Sequence, residues 1–356
     1  MRMVVMAERN LTPLDAKTAV GLIRYRPDAV VGAIDSTRCD GDVAAALGLD
    51  IGRGMPVFPD VPTALAVRPN TLAIGVAPAN DQLYPHYRRQ ILLAVEAGLD
   101  ILSGLHFRLS DDPEIAAAAA RHRIRLHDVR IPPATRRVAG RVDRRRGNHT
   151  VLAIGSDGSV GKMTAMLELD RAARRAGLRS AFLATGQTGM MIAGGGLAAD
   201  TIVSDFLAGA VQQHVVELAT RADWTFVEGQ GALNHPAYSA VTLGIMHGAL
   251  PDALIMCHAA GSTALQGRPD CRLPALSRLV RANEEAVNLV HPRGDCAVVG
   301  VALRTLGLSD AEAAAAVREV AAETGLPTTD VVRFGAGELL DALLRHRDGV
   351  PDRRVG

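Results

Sequence analysis

Apolar residues in this chain gather in short runs, and the stretches between them carry apolar positions at helical spacing. Runs at 28–34, 71–76, 100–103 and 125–129 read as strands, and the segments 12–26, 84–97 and 113–122 read as helices. Pro13 sits at an allowed first-turn position and Gly98 closes the second helix as a C′ residue. The alternation resumes further on. Strands are expected near 151–154, 180–184, 225–228, 253–257, 297–303 and 329–332, with helices near 201–221, 274–289, 310–323 and 337–345. Buried runs of strand length between helix-length segments predict parallel sheets covered by helices on both faces. There is no repeat of fixed period, and the Ala-rich pieces at 116–120 and 313–316 are helix faces.

The pattern lapses once, at PPATRRVAGRVDRRRGN, which has two prolines, two glycines and six arginines. This divides the chain into a domain over 1–132, a basic connector over 133–148 and a domain over 149–356. A length of 356 residues suits two cores. The expected fold class is α/β, a Rossmann-like parallel-sheet domain followed by a P-loop NTPase-like α/β domain. Ligands of such sheets sit beyond the carboxyl ends of the strands, which makes Asp35 to Arg38 and Pro78 to Asp81 candidate lining. No G-x-G-x-x-G follows an N-terminal strand, so nothing supports a dinucleotide site there. The connector arginines read either as a solvated basic linker or as receivers of a ligand phosphate.

The P-loop expectation rests on VLAIGSDGSVGKMTAMLEL, residues 151–169. A buried strand runs into a Gly-rich turn, and Lys162 opens a helix. Backbone N–H groups of such a turn converge on an anion, the helix N-terminus adds partial positive charge, and the lysine adds a full one. Gly155, Asp157, Gly158, Ser159, Val160, Gly161, Lys162, Met163 and Thr164 are therefore the predicted phosphate-binding residues. The match to G-x-x-x-x-G-K-[ST] is imperfect: Ser156 replaces a glycine, and the hydroxyl, Thr164, comes one place late. The longer version is similar to the loop of dethiobiotin synthetase, G-T-D-x-x-V-G-K-T. Lysine usage supports the reading. Of 39 basic residues only Lys17 and Lys162 are lysines, so a compact ammonium at this turn is chosen for its chemistry. The same logic marks Lys17.

A second motif, DWTFVEGQG, delivers Glu228 from a strand end into a Gly-x-Gly turn, where P-loop folds place a metal-directing or basic carboxylate. His235 follows seven residues later. Glu228 and His235 are the candidate bases; the bland readings are a helix cap or ion pair for Glu228 and a purely structural hydrogen bond for His235. Strand 180–184 should end beside the phosphate site, so Gln187 and Thr188 would face ligand. The glycines 194–196 read as a flexible loop whose N–H groups could meet an oxyanion.

Composition excludes more than it assigns. Aromatics at 3% argue against stacking platforms for single-stranded nucleic acid, and a net charge of +1 gives no global attraction to nucleic acid or membrane. No apolar run is long enough to span a bilayer, and the start of the chain lacks a signal-peptide core. Cys39, Cys257, Cys271 and Cys296 have no C-x-x-C spacing and read as reduced structural thiols in a cytoplasmic protein. No H-x-x-x-H or Cys/His cluster points to a metal site. The expected partners are a small-molecule substrate and copies of the same chain in a homo-oligomer.

Four stretches taken together carry a resemblance: Ala16-Lys17-Thr18-Ala19 with Arg24-Tyr25, the loop GSDGSVGKMT, the run ATGQTGMMIAGGG, and VEGQGALNHPAYSAVTLGIMHGALPDALIMCH. In this order they resemble a P-loop family long of unknown function whose assigned members are D-glutamate N-acetyltransferases. The likeness spans nearly the whole chain. It implies acetyl transfer from acetyl-CoA to the α-amine of D-glutamate. The loop would then hold the pyrophosphate of CoA, a task that needs no magnesium-binding hydroxyl directly after the lysine. Under this reading Glu228 or His235 takes the amine proton, and Gln187 or backbone N–H groups meet the oxyanion. Lys17, Arg38 and Arg268 are offered for the substrate carboxylates, on polarity and position. The rival is a kinase or ligase resembling dethiobiotin synthetase, with Asp157, Thr164 and Glu228 handling ATP and Mg²⁺. A nucleotide-dependent switch binding a protein partner ranks last.

Overall fold

The computed structural model describes residues 1–76, 82–134, 136–140, 147–292 and 294–349. The chain forms two compact units, Met1–Ile131 with Gln187–Ala198, and Pro132–Gly186 with Ala199–Gly356.

The first unit is built on six strands: β1 (Met3–Met6), β2 (Val30–Ile34), β3 (Val57–Phe58), β4 (Thr71–Ile74), β5 (Asp100–Ser103) and β6 (Leu126–Asp128). All are parallel, in the order β3-β2-β1-β4-β5-β6. This is the Rossmann order, in which β1 and β4 flank the point where strand order reverses. The sequence pattern left β1 unassigned. Its four residues are too few to show a period, yet pairing with both β2 and β4 makes it a central strand, buried throughout. The first helix, Lys17–Tyr25, is shorter than the pattern predicts. Residues 12–15 form a turn instead, closed by the Thr12 hydroxyl on Asp15 and by the Asp15 N–H on Thr12. Helices Pro85–Glu96 and Pro113–His122 each start on proline, and Asp112 caps the second by accepting from the N–H groups of Glu114 and Ile115.

One segment corrects the linear division of the chain. Residues 187–198, counted by the pattern within the second domain, belong to the first unit. They form the helix Gln187–Ala193, packed on Lys17–Tyr25. The hydroxyls of Thr18 and Thr188 meet at 2.7 Å in a buried position. The Arg26 guanidinium donates to the carbonyls of Met191 (3.5 Å) and Ile192 (3.2 Å), which the helix end leaves unsatisfied. Gly194 follows in the left-handed region, so the triple glycine begins as a helix terminator.

The second unit carries β7 (His149–Gly155), β8 (Ser180–Leu183), β9 (Trp224–Val227), β10 (Ala253–Ala259), β11 (Ala264–Leu265), β12 (Arg268–Arg272), β13 (Ala297–Arg304) and β14 (Thr328–Thr329). Six of them form a parallel sheet in the order β14-β13-β10-β7-β9-β8, while β11 and β12 make a separate hairpin. The core on one face joins Val151, Ala153, Phe226, Ile255 and Cys257 to Met166 and Leu169 of the helix Lys162–Arg175. The pattern missed the helix Ser239–Ala249, which is apolar on nearly all sides and contains two glycines, so it shows no amphipathic stripe. It packs on Ser204–Ala219.

The connector is held to the second unit. The Gln212 side chain accepts from the Gly140 N–H (3.1 Å) and donates to its carbonyl (2.6 Å), and Arg136 lies 6.0 Å from the Phe206 ring centre. Four of its six arginines, Arg141 and Arg144 to Arg146, lie outside the described residues, as does the candidate loop Pro78 to Asp81. Among the described residues no helix is long and apolar enough to cross a membrane.

Candidate active site around the phosphate loop

Strand β7 is buried from Thr150 to Gly155 and delivers the turn into the middle of the sheet, between β10 and β9. The turn ends at Gly161, whose φ of +100° is closed to residues with a side chain, and the helix starts at Lys162. No side chain caps that helix. A helix N-terminus opening directly from a Gly-rich turn is the arrangement expected of a phosphate cradle. The Lys162 side chain is buried and folds back over the turn, donating to the carbonyls of Asp157 (2.6 Å) and Gly158 (3.2 Å). Asp157 faces inward. One carboxylate oxygen accepts from the Gly158 N–H, and the other accepts from the Gln266 N–H at 2.6 Å, which ties the β11–β12 hairpin to the loop.

Glu228 follows β9 directly and is 5% exposed. One of its oxygens accepts from the N–H groups of Thr185 (2.9 Å) and Gly186 (3.1 Å), and the Thr185 hydroxyl donates to the Glu228 carbonyl (2.7 Å). Burial pushes its carboxyl up to about 7, against the opposing pull of those N–H groups and of the Lys162 charge. A carboxyl titrating near neutrality is suited to accept a proton. Gly229 makes the juxtaposition sterically feasible: a Cβ there would overlap the Ala153 carbonyl and press on the Lys162 stem. Cys257, in register with Gly155, has its thiol raised to about 12 by burial and stays protonated.

His235 is buried and stacks on Tyr238. Its Nδ1 accepts from the Ala237 N–H (3.1 Å), so in the neutral ring the proton is on Nε2. Asn234 beside it donates to the Ser156 carbonyl (3.0 Å), and its own carbonyl oxygen is buried without a partner. The Ser156 hydroxyl meets Nδ1 of His258 at 2.8 Å. His258 opens onto a cavity of about 340 Å³ lined also by Thr263, Arg272, Leu276, Leu279 and Glu323. Burial holds the His258 ring below its ordinary pKa, with the Glu323 charge opposing.

This loop, with a buried carboxylate opposite its lysine, has counterparts among known proteins. Residues 137–340 match the family described as "Domain of unknown function (DUF1611_C) P-loop domain", and residues 37–132 match its "DUF1611_N Rossmann-like domain". The chain belongs to the DUF1611 family. Two relatives, from Tritonibacter scottomollicae and Pseudoalteromonas sp, bear the name D-glutamate N-acetyltransferase. They are 39% and 31% identical to this chain, covering 93% and 92% of it and 94% of each relative. The crystal structure of a DUF1611 family protein from Anabaena variabilis superposes with a TM-score of 0.88 at 36% identity, covering 97% of this chain and 99% of that one.

The remaining residues singled out in this DUF1611 chain are divided between the two units. Lys17 opens its helix with an exposed side chain, and Gln187 and Thr188 begin the helix of the first unit that packs on it, with the Thr188 hydroxyl engaged by Thr18. Arg38 follows β2 and donates to the Ala46 carbonyl (2.9 Å). Asp35 and Glu8, at the ends of β2 and β1, are buried and satisfied locally, Asp35 by Leu11 and Thr37 and Glu8 by Ser36. Arg268 is exposed on the hairpin that Asp157 anchors, in the same unit as Glu228. Sequence reasoning passed over Arg304, the last residue of β13, whose Nε is buried without an acceptor. Its signal is a charge ending an apolar strand at the carboxyl edge of the sheet.

Proposed function

We propose that the protein transfers the acetyl group of acetyl-CoA to the α-amine of D-glutamate, with the diphosphate of CoA held by Gly155 to Thr164. Two relatives spanning nearly the whole chain carry that activity in their names, which supports the reaction and the acceptor. The observation that carries the placement is Glu228, a buried carboxyl raised to about 7 beside the lysine of a phosphate loop. In this reading the Glu228 carboxylate removes a proton from the substrate ammonium. The freed amine attacks the thioester carbonyl, the C–N bond forms, and the C–S bond breaks, with the second proton shed by the nitrogen passing to the leaving CoA sulfur. Of the two candidate bases, Glu228 is favoured. His235 would have to give up its bond from the Ala237 N–H to take a proton on Nδ1, since Nε2 of the neutral ring already carries one. Among the cations offered for the substrate carboxylates, Arg268 shares the unit of Glu228.

The Mg²⁺-ATP alternative would draw on Asp157, both of whose carboxylate oxygens are already engaged by backbone N–H groups. The deciding experiment incubates purified protein with acetyl-CoA and D-glutamate and follows free thiol. Thiol release that requires D-glutamate supports the proposal. Turnover that proceeds only with ATP and Mg²⁺ ends it.

A further inference from the structure

We infer that Arg304 is a second cationic arm of the phosphate site, binding a phosphoryl group of the ligand that the Gly155 to Lys162 turn holds. The inference rests on the proposed use of that turn and names a residue outside its motif.

Position comes first. Arg304 is in register with Ala259 of β10, and Cys257 of β10 is in register with Gly155 of β7. Side chains alternate along a strand, so Arg304, Ala302, Ala259 and Cys257 point to one face of the sheet. Ala302, Ala259 and Cys257 belong to the core that packs under the Lys162–Arg175 helix. Arg304 therefore emerges at the carboxyl edge of the face that also carries the phosphate turn, the edge where sheets of this kind take their ligands.

Its lack of partners is the second observation. The guanidinium is more than half buried, its Nε has no acceptor, and no carboxylate of the described residues forms an ion pair with it. Burial pulls its pKa below the ordinary arginine range, and the Asp157 charge opposes that pull. Asp157 is itself engaged by two backbone N–H groups. Several other arginines are paired even near the surface: Arg88 with Asp112, Arg125 with Asp100, Arg174 with Asp170, Arg179 with Asp223. A guanidinium partly withdrawn from water, with its Nε unsatisfied, destabilises the free protein. It is sensible only where a ligand brings the anion. A phosphoryl group fits, because the planar fork of guanidinium donates to two of its oxygens at once while Lys162 supplies a point charge.

The test measures CoA binding by calorimetry at fixed ionic strength for wild type, Arg304→Met, Arg304→Lys and Lys162→Ala, with 3′-dephospho-CoA as a second probe. Melting temperatures without ligand are taken in parallel. Arg304→Met should weaken CoA binding about tenfold or more, as expected for a lost charged hydrogen bond, and Arg304→Lys should recover part of it. The unliganded Arg304→Met protein should melt no lower than wild type, since it loses an unpaired charge. Equal weakening for both probes assigns Arg304 to the diphosphate, and weakening for CoA alone assigns it to the 3′-phosphate; both support the inference. Full CoA affinity in Arg304→Met, with affinity lost in Lys162→Ala, overturns the role of Arg304 and leaves the loop standing. Unchanged affinity in both variants removes the loop from CoA binding, and this inference with it. A lower melting temperature with unchanged affinity makes Arg304 a structural companion of Asp157.

Discussion

Glu228 is where residue-scale physics is most exposed to measurement. Its carboxyl is held at about 7 in the folded chain against an ordinary 4.5. Below pH 4.5 both folded and unfolded chains carry the proton and Glu228 costs nothing. Between 4.5 and 7 the unfolded chain ionises first, so stability falls as pH rises. Above 7 the full penalty applies, at most about 3 kcal/mol for a shift of this size. Glu228→Gln should therefore raise the melting temperature at pH 8 and change it little at pH 4. In kinetics, kcat/KM should rise with pH through an apparent pKa near 7, and Glu228→Gln should flatten that limb and lower the rate by roughly 10²- to 10⁴-fold. A steep limb surviving in the variant would assign the proton transfer elsewhere. Lys162→Ala should raise KM for acetyl-CoA or abolish turnover, since it removes the ammonium folded over the turn; unchanged kinetics would take the turn out of the mechanism.

At the scale of elements, two contacts decide placements that periodicity alone does not give. The helix Gln187–Ala193 is joined to Lys17–Tyr25 by the buried Thr18–Thr188 hydroxyl pair. Thr188→Val strands the Thr18 hydroxyl and should cost about 1–2 kcal/mol, read as a lowered midpoint in urea. The connector is pinned by the Gln212 amide on Gly140. Gln212→Ala should release it, and trypsin should then cut after the exposed Arg136 and Arg137 faster than in wild type at equal global stability. Equal cutting would show that the clamp contributes nothing to order in the connector.

For the whole molecule, the chain enters the first unit twice. It leaves the second unit just after Gly186, whose N–H is on Glu228, and re-enters at Ala199, whose N–H bonds the Thr185 carbonyl. A fragment of residues 1–131 lacks the helix that covers Lys17–Tyr25 and should show a weaker, less cooperative thermal transition by circular dichroism than the intact chain; an equally sharp one would make residues 187–198 dispensable to that unit. Much of the architecture was legible locally. Runs of strand length alternating with helix-length stretches mark a parallel sheet, because a strand buried on both faces must be apolar at every position, and a glycine turn ending in lysine marks an anion site by its own backbone and charge. Strand β1 and the helix 239–249 were not legible, one being too short and the other too uniformly apolar to show a period. The sequence by itself determined the two sheets, the phosphate turn and the strand-end position of Glu228, all properties of neighbouring residues. Only the tertiary structure decided that Thr188 turns to Thr18, that Nδ1 of His235 accepts from the Ala237 N–H, and that Nε of Arg304 is buried without an acceptor. Burial and pairing depend on what strands and helices far away in the chain bring alongside, and a local pattern does not contain those neighbours.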